Sequence, residues 1–202
     1  MPNAATHDVI TVATGALLAP VTYLLLAAGD PERASTGVAV LVGAHLISGI
    51  LFSPDLDIDS TVDDRWGVLF WIWRPYMWLI PHRRFWSHSL LFAPLFRLIY
   101  FYSMAMLIYI GGAWLLGRTG VVVPDLHLQA SAWIFDLMRH NPGMVRLFLL
   151  GFITGSAAHT IADWLVTGGK RYLNLFGLRL KGNYRDHDRP VSRRNRSAGA
   201  WR

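Results

Sequence analysis

The chain has 202 residues, of which 53% are hydrophobic and only 16% charged, against about 25% charged in an ordinary soluble domain. With a positive mean hydropathy, that balance implies one compact membrane bundle and argues against a soluble multidomain protein. The absence of cysteine excludes disulfides, thiolate metal sites and cysteine nucleophiles, so any metal must be held by His, Asp, Glu or backbone groups.

The N-terminal sequence MPNAATHDVI contains no lysine or arginine. A secretory signal needs a basic region before its apolar core, so the first apolar run is expected to remain as a membrane anchor. A spanning helix takes about 20 mostly apolar residues. Residues 9–28, 35–52, 98–116 and 147–166 meet that requirement. GDPERAS, between the first two, is a compact turn signal. Residues 66–80, WGVLFWIWRPYMWLI, are too short to span and are broken at Arg74-Pro75. Trp66, Trp71, Trp73, Tyr76 and Trp78 suit the headgroup layer, so this segment reads as interfacial or re-entrant. Residues 118–145 read as a mixed loop with a short amphipathic helix over 131–138. The tail from 183 to 202 is basic, lacks apolar periodicity and is expected to be disordered. The expected fold is thus all-α: a multi-pass membrane helix bundle of about four spans over residues 1–182, with an interfacial Trp-rich segment.

Orientation follows from arginine and lysine. The first loop holds Arg33, and the third holds Arg118 and Arg139, with Arg146 at its edge. The second loop holds Arg65, Arg74, Arg83 and Arg84, and most of the +6 net charge lies beyond Lys170. The positive-inside rule places the second loop, both termini and the tail in the cytoplasm. The tail could bind nucleic acid, but its position after a cytoplasmic helix end makes anionic lipid the expected partner. No specific nucleic-acid partner is expected.

That topology gathers His7, Asp8, Asp55, Asp57, Asp59, His82, His88, His159 and Asp163 near one membrane face, although only lysine and arginine defined it. His159 and Asp163, in GSAAHTIADW, are spaced i, i+4 and share a helix face. Such a pair can bind one divalent cation or form an interhelical hydrogen bond. An ionisable group inside a span costs roughly 2.5–3.5 kcal/mol on insertion scales, and such groups tend to be functional. Gly151 and Gly155 precede the pair in a G-x-x-x-G pattern that admits a close neighbouring helix.

The alternating aspartates of PDLDIDS offer hard oxygen ligands, or alternatively form a solvated acidic turn. Calcium-loop spacing fails, because Ser60 and Trp66 stand where glycine and glutamate are needed. Asp8 could simply favour a helix start, and His45 with Ser48 could be either a packing contact or part of the site. In HRRFWSHS, His82 and His88 can both face inward if the chain turns and Ser87 caps the third helix. Arg83 and Arg84 would then hold an anion, or else meet lipid headgroups. No nucleophile elbow, phosphate-binding glycine loop or dinucleotide fingerprint occurs.

THDVIT, LFSPDLDI, RWG…WRPY…PHRRFWSHS and GSAAHTIAD, in this order over residues 5–180, resemble a bacterial family of metal-binding membrane proteins of unknown function. HRRFWSHS and HTIAD are similar, more distantly, to membrane-bound metal-dependent hydrolases with H-R-x-x-T-H-S and a later H-x-x-x-D. Ser87 replaces the threonine of that pattern and keeps a hydroxyl. The resemblance implies metal binding through His7, Asp55, Asp57, His82, His88, His159 and Asp163, by one or two Zn, Mn or Fe ions.

The expected protein lies in a bacterial inner membrane and is a metal-dependent hydrolase of a phosphoester or ester, with lipid as a plausible substrate. In that reading Asp57 or Asp163 is the general base, and Arg83 or Arg84 clamps the anion. The alternative is a non-catalytic structural or regulatory metal protein. Transport through His45, His159 and Asp163 would require polar residues on the far side, where the spans are apolar.

Overall fold

The computed structural model describes residues 4–57, 63–79 and 89–175. His82, Arg83, Arg84, Ser87, His88 and the tail from 183 lie outside them. The chain divides into two compact units, residues 1–167 and 168–202. The fold of the first follows, together with the helix that runs out of it.

Among the described residues the regular structure is entirely helical. Helix α1 spans Ala4–Ala27 and α2 spans Pro31–Ile50. A 3-10 turn over Pro54–Asp57 follows, and then a 3-10 segment over Asp63–Ile72 that is kinked at Gly67. The remaining helices are α3 (Arg74–Leu79), α4 (Phe92–Gly117), α5 (Leu126–His140) and α6 (Pro142–Leu175). Among the described residues, four helices are long and apolar enough to cross a membrane: α1, α2, α4 and the stretch Pro142–Val166 of α6.

The turn expected in GDPERAS is present. Asp30 caps α2 by accepting the Arg33 N–H at 3.1 Å, with Pro31 opening the helix; proline fits there because its missing N–H would have had no helical acceptor. Helices α1 and α2 pack antiparallel, with Thr11 against Gly49, Gly15 against His45 and Leu26 against Gly37.

The G-x-x-x-G pattern brings α6 against α2. A Cβ on Gly151 would stand 2.1 Å from the Leu41 carbonyl oxygen, and one on Gly155 would stand 2.1 Å from that of His45. Only glycine permits that approach, since lipid provides no hydrophobic drive and close backbone packing must hold membrane helices together. The register makes α6 parallel to α2. The start of α1, the end of α2 and the second half of the α6 span therefore share one end of the bundle.

Two sequence expectations change. The Trp-rich segment is only partly exposed: Trp71 and Trp78 are 73% and 86% exposed, whereas Trp73 and Tyr76 are fully buried and Trp66 is half-buried. Trp66 and Trp73 pack edge-on against Phe52, and the Tyr100 hydroxyl donates to the Ile72 carbonyl at 2.6 Å. The segment folds back over the end of α2 and onto α4, and the rings that face them form an aromatic core. The short helix expected at 131–138 is longer, Leu126–His140, because it starts directly after Pro124-Asp125. At the start of α4, where Leu91 holds the cap position without a side-chain cap, the Phe92 N–H donates to the Ser89 hydroxyl at 3.2 Å; the expected cap, Ser87, lies outside the described residues.

Candidate metal centre

His7 lies in the opening turns of α1, and His159 and Asp163 lie one turn apart on α6. All three are buried, at 3%, 1% and 8% exposure. His7 Nε2 is 3.2 Å from Asp163 Oδ1, and His159 Nε2 is 3.7 Å from Asp163 Oδ2. The two imidazoles stack, with centroids 3.6 Å apart and planes 16° from parallel. One ligand atom from each of the three residues lies within 4.8 Å of the others.

Asp55 adds a carboxylate from the 3-10 turn after α2. Its Oδ2 is 3.4 Å from His159 Nε2, and its side chain is 20% exposed, making it the open edge of the cluster. On the far side of the His159 ring, Nδ1 lies 3.1 Å from the buried Ser53 hydroxyl. The Asp55 N–H also approaches that hydroxyl oxygen, at 3.4 Å. When Nδ1–H donates to Ser53, the Nε2 lone pair is left for a ligand; metal-binding histidines are oriented by outer hydrogen bonds of this kind.

These residues fit a divalent metal. His159 Nε2 and Asp163 Oδ1 are buried without a well-formed hydrogen bond, although they stand 3.2–3.7 Å from their neighbours. Atoms that lie this close without sharing a proton are open to a cation. Metal–nitrogen and metal–oxygen bonds of about 2.0–2.2 Å put tetrahedral ligand atoms about 3.3–3.6 Å apart. Imidazole with carboxylate suits Zn or Fe, and a larger share of oxygen moves the preference towards Mn.

Of the seven ligands implied by the resemblance, His7, His159 and Asp163 come together, with Asp55 beside them. The backbone of Asp57 closes the 3-10 turn; its side chain, and His82, His88, Arg83 and Arg84, lie outside the described residues. Asp163, expected as ligand or base, has both oxygens directed at histidines. His140 pairs with Asp136 at 2.8 Å on exposed α5, away from the cluster.

His45 belongs to the packing. Its Nε2 is 3.1 Å from the Thr11 carbonyl and 3.0 Å from Thr14 Oγ1, and its Nδ1 is 3.0 Å from Thr154 Oγ1. Both ring nitrogens are engaged in joining α1, α2 and α6.

Sequence reasoning missed the roles of Ser53, Arg65 and Arg97. Ser53 announces itself only as the residue before Pro54-Asp55. Arg65 and Asp8 form an ion pair at 2.7 Å. Arg97, fully buried, donates to Ser156 Oγ at 2.7 Å, and Ser156 lies one turn before His159. The signal for Arg97 was present, as the lone charge in the apolar run 90–117.

A helical protein with four helices of membrane-crossing length and a buried cluster of two histidines and an aspartate belongs to the class of metal-binding proteins. A family described as "Uncharacterized metal-binding protein (DUF2227)" matches residues 2–173. The chain is a member of that family, and the matched region contains the whole cluster. No curated protein and no solved structure is significantly similar to it.

Proposed function

We propose that this protein is a multi-pass membrane metalloenzyme that hydrolyses a phosphoester or ester at the cytoplasmic face of a bacterial inner membrane. The observation that carries the reading is the burial of His7, His159 and Asp163 with a ligand atom of each within 4.8 Å of the others, His159 Nε2 and Asp163 Oδ1 lacking a well-formed hydrogen bond. A divalent ion held there (Zn, Mn or Fe, as one ion or a pair) would supply Lewis-acid polarisation and a water acidified towards neutrality.

The chain's own residues take the remaining roles. Asp163 and the two histidines hold the ion, and Ser53 fixes the His159 ring. Asp55, at the open edge, faces the direction from which a substrate arrives. With both Asp163 oxygens turned to histidines, Asp57 is the better candidate for accepting a proton, and Arg83 and Arg84 for holding an anionic group. His82 and His88 complete the ligand set. Exposed Trp71 and Trp78, with Arg74 stacked 4.3 Å over Phe70, suit the headgroup layer. That setting, with the basic tail, makes lipid the natural partner.

A non-catalytic reading has one observation in its favour. The three central ligands are almost fully enclosed, as in structural metal centres, and they tie α1 to α6. Metal analysis of the purified protein beside His88→Ala and His159→Ala, with a screen of phosphoesters and esters on the same samples, separates the readings. An enzyme loses both metal and turnover with the ligands. A staple loses metal and stability and shows no turnover in any sample. Unchanged metal content in both variants overturns the centre.

A further inference from the structure

His7 and Asp8 are neighbours in α1 and therefore point about 100° apart around the helix. His7 turns inward to Asp163, while Asp8 meets Arg65 from the 3-10 segment. The Arg65 guanidinium donates from Nη1 to Asp8 Oδ1 at 2.9 Å and from Nη2 to Oδ2 at 2.7 Å, a bidentate fork. Nη1 donates again, at 2.8 Å, to the carbonyl of Ile50, the last residue of α2.

A C-terminal helix carbonyl has no acceptor role left inside its own helix, and the negative helix end favours a cation. Next to Arg65, Trp66 Nε1–H donates to the Leu51 carbonyl at 3.0 Å. The opening turns of α1 are thereby fastened to the end of α2, where the chain departs for Ser53 and Asp55. Helix ends fray, and His7 lies in the opening turns of α1.

We propose that Arg65 is a positioning residue of the metal centre, holding Asp8 so that His7 meets the ion in a fixed place, an inference that rests on reading His7, His159 and Asp163 as metal ligands. Arginine is needed because its planar fork serves both carboxylate oxygens and the Ile50 carbonyl together, which a lysine point charge does not.

The test uses the full-length protein in detergent, with Co2+ alone as the probe. Affinity is measured by chelator competition, and the visible spectrum reports the ligand field. Outer partners of metal ligands typically change affinity about 10–100-fold. Arg65→Ala and Asp8→Asn are each expected to weaken Co2+ binding within that range and to shift the spectrum. The double variant should bind no worse than the weaker single, because both changes break one link. Arg65→Lys should recover only part of the loss. Arg33→Ala, which breaks the exposed pair with Asp30 at the opposite end of α2, should leave both the affinity and the spectrum as they are.

Wild-type affinity and spectrum in Arg65→Ala and Asp8→Asn, with binding lost in His159→Ala, would overturn the clamp and leave the centre standing. Losses that multiply in the double variant would also overturn it. Equal binding by wild type and His159→Ala would overturn the centre and this inference together. Should Arg65→Ala fail to fold, the nearly isosteric Asp8→Asn decides.

Discussion

His7 and His159 come from opposite ends of the sequence, yet their rings stack 3.6 Å apart with both Nε2 atoms directed towards the Asp163 carboxylate. Asp163, which both histidines approach, is the anionic member of the candidate site. Asp163→Asn keeps the size of the side chain and removes the charge. Metal affinity should fall at least about tenfold, or roughly 1.4 kcal/mol, while the helical content of the detergent-solubilised protein stays the same. Chelator competition on wild type and variant checks this, and equal affinities would remove Asp163 from the ligand set.

Ser53 acts on the candidate site only through His159. Losing the hydroxyl takes away the acceptor that holds Nδ1 at 3.1 Å and frees the ring to turn. Ser53→Ala should weaken binding about 10–100-fold, the usual effect of an outer hydrogen-bond partner, without changing how much metal binds at saturation. Ser53→Thr retains the hydroxyl and should recover most of the affinity. A titration in which Ser53→Ala matches wild type would show that the ring is held by its packing.

One glycine of α6 and one of α4 allow a paired test of the helix contact. Gly155→Ala would drive a Cβ to 2.1 Å from the His45 carbonyl, whereas Gly111, inside α4, has nothing within 4 Å. Overpacking of this kind costs about 1–3 kcal/mol. Because His159 lies one turn beyond Gly155, the displaced helix should carry the ligand away from His7 and lower metal affinity as well. Gly111→Ala should change neither. Thermal unfolding and metal titration of the two variants decide whether the contact positions the site.

How much of this was legible in the sequence depended on the range over which each feature acts. The spans follow from local hydropathy, so each apolar run overlaps one helix, and every helix starts four to six residues earlier than its run, where polar and turn residues hide the first turns. The His159-Asp163 pair follows from helical periodicity. Asp55 and His7 could be placed beside the pair only through topology, a long-range inference that relied on counting arginines. Trp73 and Tyr76 were misassigned because an aromatic residue at a membrane edge has the same composition whether it faces lipid or protein, and only the fold-back onto α4 separates the two. Ser53 and Arg65 are chemically ordinary until their partners, far away in sequence, stand next to them.

His45 distinguishes a packing role from a transport path. Its ring nitrogens meet Thr11, Thr14 and Thr154, and the two threonine hydroxyls also have acceptors in their own helices, Ile10 O at 2.8 Å and Gly151 O at 3.0 Å. His45→Leu therefore strands little. Interhelical hydrogen bonds in membranes average about 0.6 kcal/mol, so the expected loss of stability is about 1 kcal/mol, with metal content unchanged. A His45→Leu protein that loses its metal would return His45 to the ligand set.

The cytoplasmic placement of the centre can be tested directly, because the chain contains no cysteine and every introduced thiol is the only one present. If the second loop is cytoplasmic, α1 must carry the chain outward to Asp30, and α4 must carry it outward again to Thr119. Arg74→Cys would then stand inside. In intact cells, an impermeant maleimide should label Asp30→Cys and Thr119→Cys, and should label Arg74→Cys only after permeabilisation. Asp8, Arg65 and Ile50 are joined by hydrogen bonds, so the opening of α1, the end of α2 and the second loop share one face. Labelling Arg74→Cys from outside would therefore move the whole metal centre to the outer surface. The four apolar helices would be unaffected, but the substrate would have to be sought among periplasmic esters and outer-leaflet lipid.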